Sequence, residues 1–407
     1  MVALNPLPRR EAELTSQPDR TQISMPNYVD WPNQQWAFTH MRELIASAQV
    51  EAGSDTAPLA RRYRDLGHIE IDFAGRRYSI SDFQEAAHVD GLMIVHQGEV
   101  VHEFYAEHMV ASSRHMAMSV TKSFIGTLAG ILIDRGLLTL EGLVTDYLPY
   151  LAGSSWDGCT ISNLLDMTAG TSFDETDYEN VDSPSGVGFR ILGWPPVRPD
   201  DPLPRDYIRD LPNTSAHNER FEYRSILTIV LTLCMEEVTE KPTAQLLTEL
   251  LWRPMGAEFD ADLLMGRSNV PITTGGLCLT LSDLIRFGLL HLNEGRAFDG
   301  TQVIPQWWLD RLRHSSPPLI ELFSKSVEAE GFPPTAFYHD KFWIYDAAAG
   351  IYMASGIYGQ QLFVHHPSQT LIAKFSSCPH PLDLDILTLS AIADFTISDA
   401  LASSSQT

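Results

Sequence analysis

The sequence predicts an α+β protein in which both chain ends build one antiparallel sheet, helices flank that sheet, and a mostly helical lobe is inserted between its halves. Strand-like alternation of apolar and polar residues occurs over 91–105 and again across 342–376. Helical periodicity dominates the chain between these two segments. The 407 residues are enough to bury a large core and to form two lobes.

Local patterns predict the individual elements. Near the N-terminus, Trp31 and Trp36 precede a short helical pattern over 37–47, which indicates an arm packed on the body. A turn at 96–99 is expected to join two strands within 91–105. Helices are predicted from 119 to a stop near 136 and over 161–167, 225–238, 243–251, 279–292, 306–314 and 382–401, and strands over 342–345, 351–357, 361–366 and 370–376.

We divide the chain into three parts. Residues 1–115 are assigned to the arm and the first part of the α/β domain, 116–255 to the mainly helical lobe, and 256–407 to the rest of the α/β domain with its C-terminal strands and helix. Within the lobe, periodicity is lost over 173–220, so a long active-site loop is predicted there. Prolines interrupt this segment at Pro184, Pro195, Pro196, Pro199, Pro202, Pro204 and Pro212.

The charge balance excludes several partners. The chain has 28 basic and 52 acidic residues, a net charge of −24, whereas nucleic acids and anionic membranes are bound through basic patches. Neutral or cationic small molecules are favoured as substrates. No apolar stretch approaches the roughly 20 residues that cross a bilayer. Residues 1–30 lack the basic-then-apolar layout of a secretion signal, so a cytoplasmic location is expected.

The sequence gives no sign of a metal or an organic cofactor, and none is expected. It contains no His-Glu-x-x-His, no phosphate loop and no Gly-x-Ser-x-Gly nucleophile elbow. The cysteines lie far apart without a Cys-x-x-Cys pair, so reduced, mostly buried thiols are predicted rather than disulfides or a zinc site. They are Cys159, Cys234, Cys278 and Cys378.

The most informative motif is Ser119-x-x-Lys122 at the start of an apolar helix. Residues three apart share a helix face, so the Lys122 amine can reach the Ser119 hydroxyl and act as its base if desolvation favours the neutral amine. The Ser119 N–H and the helix dipole favour negative charge on a substrate carbonyl oxygen. The alternative is a serine N-cap beside a solvated lysine. Because Lys122 is the only lysine in the first 240 residues and lies in an apolar run, we favour catalysis.

A third group is needed to hand the proton to a leaving group. Tyr223 stands downstream at a predicted loop-to-helix junction, where its phenol could share a proton with Ser119 and Lys122. The alternative is a tyrosine that only caps a helix start. The order resembles that of class C serine β-lactamases and penicillin-binding proteins, in which Ser-x-x-Lys is followed by Tyr-x-Asn and by Lys-Thr-Gly on an edge strand.

The match to Lys-Thr-Gly is Ala354-Ser355-Gly356, followed by Ile357. The resemblance implies that the Ile357 N–H is the second oxyanion donor beside that of Ser119, and that Ser355 and Gly356 line the substrate. The lysine of the superfamily is absent, and the asparagine is replaced by Ser225. Both departures argue against β-lactams and D-Ala-D-Ala peptides as substrates.

Across nearly its whole length the chain resembles the 6-aminohexanoate-dimer hydrolases, amidases of the β-lactamase/DD-peptidase fold that also act as esterases. This resemblance implies a homodimer, and a hydrogen bond between the substrate amide and a loop tyrosine, here Tyr178. The segments that carry it are 35–38, 118–122, 144–149, 151–154, 165–167, 221–223, 275–276, 355–357 and 359–360.

The loop around Tyr178 is strongly acidic. Two interpretations stay open: an acidic rim that attracts a substrate ammonium, or a solvated surface loop. The sequence singles out no one carboxylate. The five acidic residues are Asp174, Glu175, Asp177, Glu179 and Asp182.

Together these features predict a serine hydrolase that cleaves amide bonds of small linear substrates, amine-bearing ones among them, through an acyl-enzyme. A carboxylesterase or acyltransferase of the same fold is the alternative, because one acyl-enzyme serves all three reactions. A non-catalytic ligand-binding protein is disfavoured by the intact set of Ser119, Lys122 and Tyr223.

Overall fold

The computed structural model describes residues 19–178, 180–194 and 198–404. The first part of the arm, Glu179 of the acidic loop, and Pro195 and Pro196 of the proline-rich segment therefore lie outside the described residues. The strands are β1 (Ser47–Val50), β2 (Ala60–Arg61), β3 (Ile71–Phe73), β4 (Arg76–Tyr78), β5 (Val89–His96), β6 (Glu99–Tyr105), β7 (His115–Met116), β8 (Ala261–Leu264), β9 (Leu277–Leu279), β10 (Phe337–His339), β11 (Phe342–Asp346), β12 (Ile351–Gly356), β13 (Gln360–His365) and β14 (Thr370–Ser376).

Helices occupy most of the chain between β7 and β10. The α-helices are α1 (Gln34–Ala37), α2 (Met41–Leu44), α3 (Ile80–Ala86), α4 (Val120–Asp134), α5 (Val144–Tyr147), α6 (Ile161–Leu165), α7 (Pro184–Ile191), α8 (Pro204–Asp210), α9 (Ile226–Thr239), α10 (Thr243–Leu247), α11 (Leu281–Leu292), α12 (Gln306–Leu312), α13 (Pro317–Ser324) and α14 (Leu384–Ser404).

One large sheet joins strands from both chain ends, in the order β10-β11-β12-β13-β14-β5-β6-β2. Its neighbouring strands are antiparallel except for the parallel pair β2 and β6. In the register between β14 and β5, Thr370 lies opposite His96, so the C-terminal strands continue directly onto the N-terminal hairpin. The predicted α+β architecture is thereby confirmed, whereas the domain limits at 115 and 255 stay a prediction.

The two faces of this sheet carry different helices. On one face, α4 packs between α9 and strands β12 and β13, and every residue from Val120 to Leu132 is buried. On the other face, α3 and α14 cover the sheet, with Phe83, Leu389 and Ile397 in a second apolar cluster. Helix α4 is therefore the central helix of the main core, and its first turn lies where the helical lobe meets strand β12.

Two predicted elements are wrong in detail. The segment 173–220 is not one long loop, because it contains α7 and α8. Both helices have a proline in their first turn, where its missing N–H costs nothing. The helix predicted over 37–47 is split into α1 and α2. It breaks at His40, whose φ of −128° is not helical. The unpredicted α13 also begins with proline, at Pro317.

Helix α14 has 21 residues and contains an 18-residue apolar window with a mean hydropathy of 1.3, which is long and apolar enough to cross a bilayer by length and composition alone. The expectation that no stretch approaches this length is therefore wrong. In the folded chain 44% of the apolar window is buried, and the inner side of the helix packs against β3, α3 and β14. The helix serves as a core element of the α/β part.

The four cysteines are free and buried, as the sequence predicts. Burial raises the pKa of the Cys378 thiol to about 12. These thiols are packing residues, since thiolates are the reactive form.

Candidate active site

The candidate nucleophile lies at the exact boundary between a short strand and α4. Ser119 is the N-cap residue, with φ −66° and ψ −9°, and its hydroxyl makes no capping bond. The preceding Met118 has a left-handed φ of +47°, a costly conformation for a side-chain-bearing residue. The Ala117 N–H donates to Leu277 O at 2.8 Å, which fixes the approach to this turn. The chain thus presents the Ser119 hydroxyl to the cleft instead of using it to cap the helix.

Lys122 reaches Ser119 from the first turn of the same helix. Its Nζ lies 2.7 Å from Ser119 Oγ and 2.6 Å from the carbonyl oxygen of Thr274. The residue is 1% exposed, and burial lowers the pKa of Lys122 to about 8, although the charge of nearby Glu175 opposes this effect. About a tenth of the amine is therefore neutral at pH 7, and more at higher pH, and this form can accept a proton.

Tyr223 lies next to Ser119, in the segment just before α9. Burial raises the pKa of its phenol, and the nearby Ser119 hydroxyl acts in the opposite direction. The ring is held by two aromatic neighbours, stacked on Trp343 at 5.4 Å and edge-on to Tyr338 at 5.7 Å. Lys122 Nζ lies 5.1 Å from the ring centroid. Ser119, Lys122 and Tyr223 are therefore brought together as the sequence predicts, with the phenol in its neutral form.

The predicted oxyanion segment runs directly past the start of α4. A Cβ atom added at Gly356 would lie 2.9 Å from both Ser119 N and Ala117 O, so only glycine permits this approach. The first N–H groups of a helix have no partner within the helix, which leaves the Ser119 N–H for a substrate. Ile357 follows Gly356 at the end of β12, and Ser355 precedes it in partly exposed strand. Their roles stay predictions, although their location fits them.

Tyr178 is near enough to Tyr223 to interact with it electrostatically, and one residue of the acidic loop, Glu175, contacts its hydroxyl. The Tyr178 hydroxyl donates to Glu175 Oε2 at 2.9 Å. Glu175 also accepts hydrogen bonds from the Ser225 hydroxyl, at 3.1 Å, and from the Ser225 N–H. By contrast, the exposed Asp182 pairs with Arg198 at the surface. Sequence reasoning missed the special position of Glu175, because only the docking of the loop on α9 distinguishes it from its acidic neighbours.

Asp166, His339 and Asp340 form a buried cluster that could hold a metal ion, since their ligand atoms lie within 4.8 Å of one another. Their charges are already compensated by other side chains. Arg311 contacts both oxygens of Asp340, at 2.8 and 3.1 Å, and His339 Nδ1 lies 2.8 Å from Asp166. This donor set fits an ion-pair network that anchors the β10–β11 turn better than it fits a metal centre.

Comparison with known proteins points to the same family and fold as the sequence motifs. The beta-lactamase family model matches residues 79–396. The 6-aminohexanoate-dimer hydrolase of Paenarthrobacter ureafaciens is 29% identical over 363 residues, which cover 88% of this chain and 89% of that protein. A solved Bacillus anthracis protein that has been assigned the same name superposes with a TM-score of 0.86 at 22% identity, covering 95% of this chain and 99% of its own.

More distant structures share the fold alone. EstCE1, a hydrolase with promiscuous acyltransferase activity, has a TM-score of 0.58 and 16% identity, with 79% of this chain and 98% of its own covered. The family model spans the candidate nucleophile, the candidate base and the strand beside them. The chain therefore belongs to the beta-lactamase family, and it is a serine hydrolase of that fold with similarity to 6-aminohexanoate-dimer hydrolase along most of its length.

Proposed function

We propose that the protein hydrolyses amide bonds of small linear substrates through an acyl-enzyme formed on Ser119. The observation that carries the proposal is the contact of 2.7 Å between Lys122 Nζ and Ser119 Oγ in a buried setting. A serine hydroxyl needs a base within hydrogen-bond reach to become a nucleophile, and a desolvated lysine can be that base.

Acylation follows from this arrangement. Neutral Lys122 removes the proton of Ser119 Oγ, which attacks the carbonyl carbon of the substrate. The N–H groups of Ser119 and Ile357 donate to the oxygen that becomes negative. Loss of one such donor typically costs about 3–4 kcal/mol of barrier. The close approach of Gly356 to Ser119 N supports this pairing of donors.

Tyr223 donates its phenol proton to the leaving nitrogen and is reprotonated by Lys122, which holds the proton taken from Ser119; the interaction of the phenol with Ser119 supports this role. The C–N bond then breaks, and the amine leaves. Water attacks the acyl carbon and regenerates the Ser119 hydroxyl. Tyr178 accepts a hydrogen bond from the amide N–H during acylation, which orients the nitrogen lone pair toward the incoming proton.

The substrate class is proposed from three features. The chain is similar to a protein named for the hydrolysis of 6-aminohexanoate dimers, which contain one amide in a linear chain. The cleft wall next to Tyr178 is acidic, which suits an uncharged or amine-bearing molecule. Ala354 is fully buried in the core, so no cation stands where the superfamily holds a substrate carboxylate. We therefore propose that β-lactams are poor substrates.

Ester hydrolysis or acyl transfer is the second candidate, because the same acyl-enzyme serves all three reactions. An ester lacks the N–H that Tyr178 would accept, and its alkoxide leaves more readily than an amine. We expect esters to be turned over by the same centre. We also propose a cytoplasmic location, which the free buried thiols support.

A substrate panel tests the proposal on one preparation of the protein. It contains p-nitrophenyl esters, short ω-amino amides and a chromogenic cephalosporin, each assayed with the wild type and with Ser119→Ala. We expect amide and ester turnover by the wild type, negligible cephalosporin hydrolysis, and no turnover by the variant. Turnover of the cephalosporin at the ester's kcat/KM, or ester turnover without any amide turnover, would contradict the proposed amidase.

A further inference from the structure

Glu175 is a carboxylate at the active site that no step above uses. Both of its oxygens are engaged: Oε2 accepts from the Tyr178 hydroxyl at 2.9 Å and from the Ser225 hydroxyl at 3.1 Å, and Oε1 accepts from the Ser225 N–H. Ser225 is the N-cap residue of α9 and follows Tyr223 by two positions. Glu175 therefore ties the loop that carries Tyr178 to the segment that carries Tyr223.

The direction of the Tyr178 hydrogen bond follows from the chemistry of its partner. Burial raises the pKa of Glu175, whereas the charge of Lys122 and the hydrogen bonds from Ser225 and Tyr178 lower it. In its ionised form the carboxylate only accepts, so the Tyr178 hydroxyl donates its single proton to Glu175. The phenol oxygen then presents only lone pairs to the rest of the cleft. An oxygen in this state can accept a hydrogen bond from an amide N–H. It cannot donate one to the oxygen of an ester.

The Tyr178 ring is fixed as well as its hydroxyl. It stacks on Phe189 of α7, with ring centroids 5.8 Å apart and planes 27° apart. The ring contact fixes the plane of the phenol, and Glu175 fixes where its proton points. The two contacts together leave the phenol oxygen with one orientation, which is the requirement for selecting a substrate by hydrogen bonding.

We propose that Glu175 is a positioning residue that holds the Tyr178 phenol as a pure hydrogen-bond acceptor for the N–H of a substrate amide, and thereby favours amides over esters. This inference rests on the proposed function, since it concerns the same acyl-enzyme reaction. It assigns to one member of the acidic loop a role that differs from attracting a substrate ammonium.

The charge of Glu175 has a second consequence. It raises the pKa of Lys122, against the larger lowering by burial, so its removal should lower that pKa further. The titratable groups that interact with Glu175 are Lys122, Arg224, Lys341, Tyr178, Tyr223 and Tyr338. A change at Glu175 should therefore move the acid limb of the pH–rate profile, which a purely structural loop contact would leave in place.

The informative substitution is Glu175→Gln, which keeps the shape of the side chain. One of its two terminal atoms becomes an NH₂ group, which cannot accept. If that group faces Tyr178, the phenol must turn its proton into the cleft. If it faces the Ser225 N–H, two donors oppose each other and the loop contact weakens. In the first orientation Tyr178 loses its acceptor state, and in the second the weakened loop contact no longer holds the phenol in its fixed position.

The experiment is a double-mutant cycle on a matched amide and ester that share one acyl group, with Glu175→Gln, Tyr178→Phe and the double variant. We expect each single variant to lose about tenfold in kcat/KM on the amide and less than about threefold on the ester. The double variant should fall no more than about threefold below Tyr178→Phe. Only Glu175→Gln and the double variant should shift the acid limb of the pH profile of kcat/KM on the ester, and the shift should be toward lower pH.

Asp182→Asn is the matched control, because it removes one acidic charge from the same region at an exposed surface pair with Arg198. It should change kcat/KM by no more than about twofold on either substrate. Additive losses on the amide, or equal losses on amide and ester for Glu175→Gln, would overturn the inference. Failure of the proposed function looks different, since the wild type itself would then not turn over the amide.

Discussion

The proposed reactivity of the centre depends on the surroundings of one side chain, Lys122. Its amine is buried and has two oxygen partners among the described residues, Ser119 Oγ and Thr274 O. An ammonium carries three protons, so this setting solvates the charged form poorly. The neutral amine needs fewer partners and can accept the proton of Ser119. Burial and the small number of hydrogen-bond partners therefore both favour the neutral amine.

Replacing Lys122 by arginine should therefore be nearly as damaging as replacing it by alanine. Arginine keeps the charge but cannot release its proton in the accessible pH range, so it cannot act as the base. We expect kcat on a p-nitrophenyl ester to fall below about a tenth of the wild-type value in both variants, with circular dichroism showing that each is folded. An arginine variant above that level would make Lys122 an electrostatic residue and place the base elsewhere.

The pH dependence of turnover reports the same group. Since Lys122 must be neutral to act and its pKa is lowered to about 8, kcat/KM should rise with pH and level off above about 8. Below that value the amine is protonated, and the rate should fall about tenfold per pH unit. The measurement is kcat/KM from about pH 3.5 to 9.5 on an ester that is stable over this range. An acid limb centred near 4 or 5 would instead indicate a carboxylate base.

At the scale of elements, the site depends on how closely β12 passes the start of α4. Gly356 provides that closeness, because its missing side chain leaves room for Ser119 N and Ala117 O. The hairpin of β10 and β11 contributes the other wall, since Tyr338 and Trp343 hold the ring of Tyr223. The geometry of the three candidate catalytic groups, Ser119, Lys122 and Tyr223, is therefore set by the packing of α4 on β12 and by the hairpin of β10 and β11.

Gly356→Ala should separate β12 from α4. Its Cβ would lie 2.9 Å from three atoms of the turn before α4, and a shift of about 1 Å in a catalytic group can cost about 100-fold in rate. We expect a loss of that order in kcat/KM on amide and ester alike. Gly53→Ala is the control, because its nearest contact is an ordinary 3.7 Å to Arg253. Equal activity of the two variants would show that the approach of β12 is unimportant.

Helix α14 offers a test of stability. Asp394 is buried on this helix, where it accepts a hydrogen bond from Gln361, and burial raises its pKa to about 7. In the unfolded chain the carboxyl ionises near its ordinary pKa of 3.8, so the unfolded state loses the proton first as pH rises. The contribution of Asp394 to folding should therefore fall between about pH 4 and 7 and then stay level.

Asp394→Asn removes this ionisation and keeps an oxygen that can accept from Gln361. The difference in Tm between the variant and the wild type should therefore shift in favour of the variant from pH 5 to pH 8. Thermal denaturation of both proteins at the two pH values measures it. A difference in Tm that is the same at both pH values, or that favours the wild type more at pH 8, would show that Asp394 is ionised in the fold throughout.

At the scale of the whole molecule, both chain ends build the largest sheet and α4 packs on one of its faces, and the sequence predicts that part well. Strands β12 and β14 and helices α4 and α9 were expected within a residue or two of their bounds, because each has strong periodicity and a clear stop. The α-helices that were missed in the described part of the chain are α3, α5, α7, α8 and α13. Helices α3 and α5 have only seven and four residues, whereas α7, α8 and α13 begin with prolines that also mark loops. Local sequence does not distinguish these two uses of proline.

The candidate site likewise contains some residues that the sequence predicts and others that it does not. Ser119 and Lys122 could be paired from helical spacing alone, and Tyr223 and Ile357 through the resemblance to a known family. The carbonyl of Thr274 could not be predicted, since a backbone oxygen carries no signal in the sequence. Glu175 has acidic neighbours of the same type, and only long-range docking of its loop on α9 sets it apart.

The central claim is that Ser119 is the nucleophile, and trapping the acyl-enzyme tests it most directly. The protein is treated with a phosphonate ester that forms a stable serine adduct, digested, and sequenced by mass spectrometry, with Ser119→Ala treated in parallel. The account predicts one stoichiometric adduct on Ser119, no adduct in the variant, and loss of ester turnover in step with labelling. An adduct on any other residue, or turnover retained by Ser119→Ala, would contradict it.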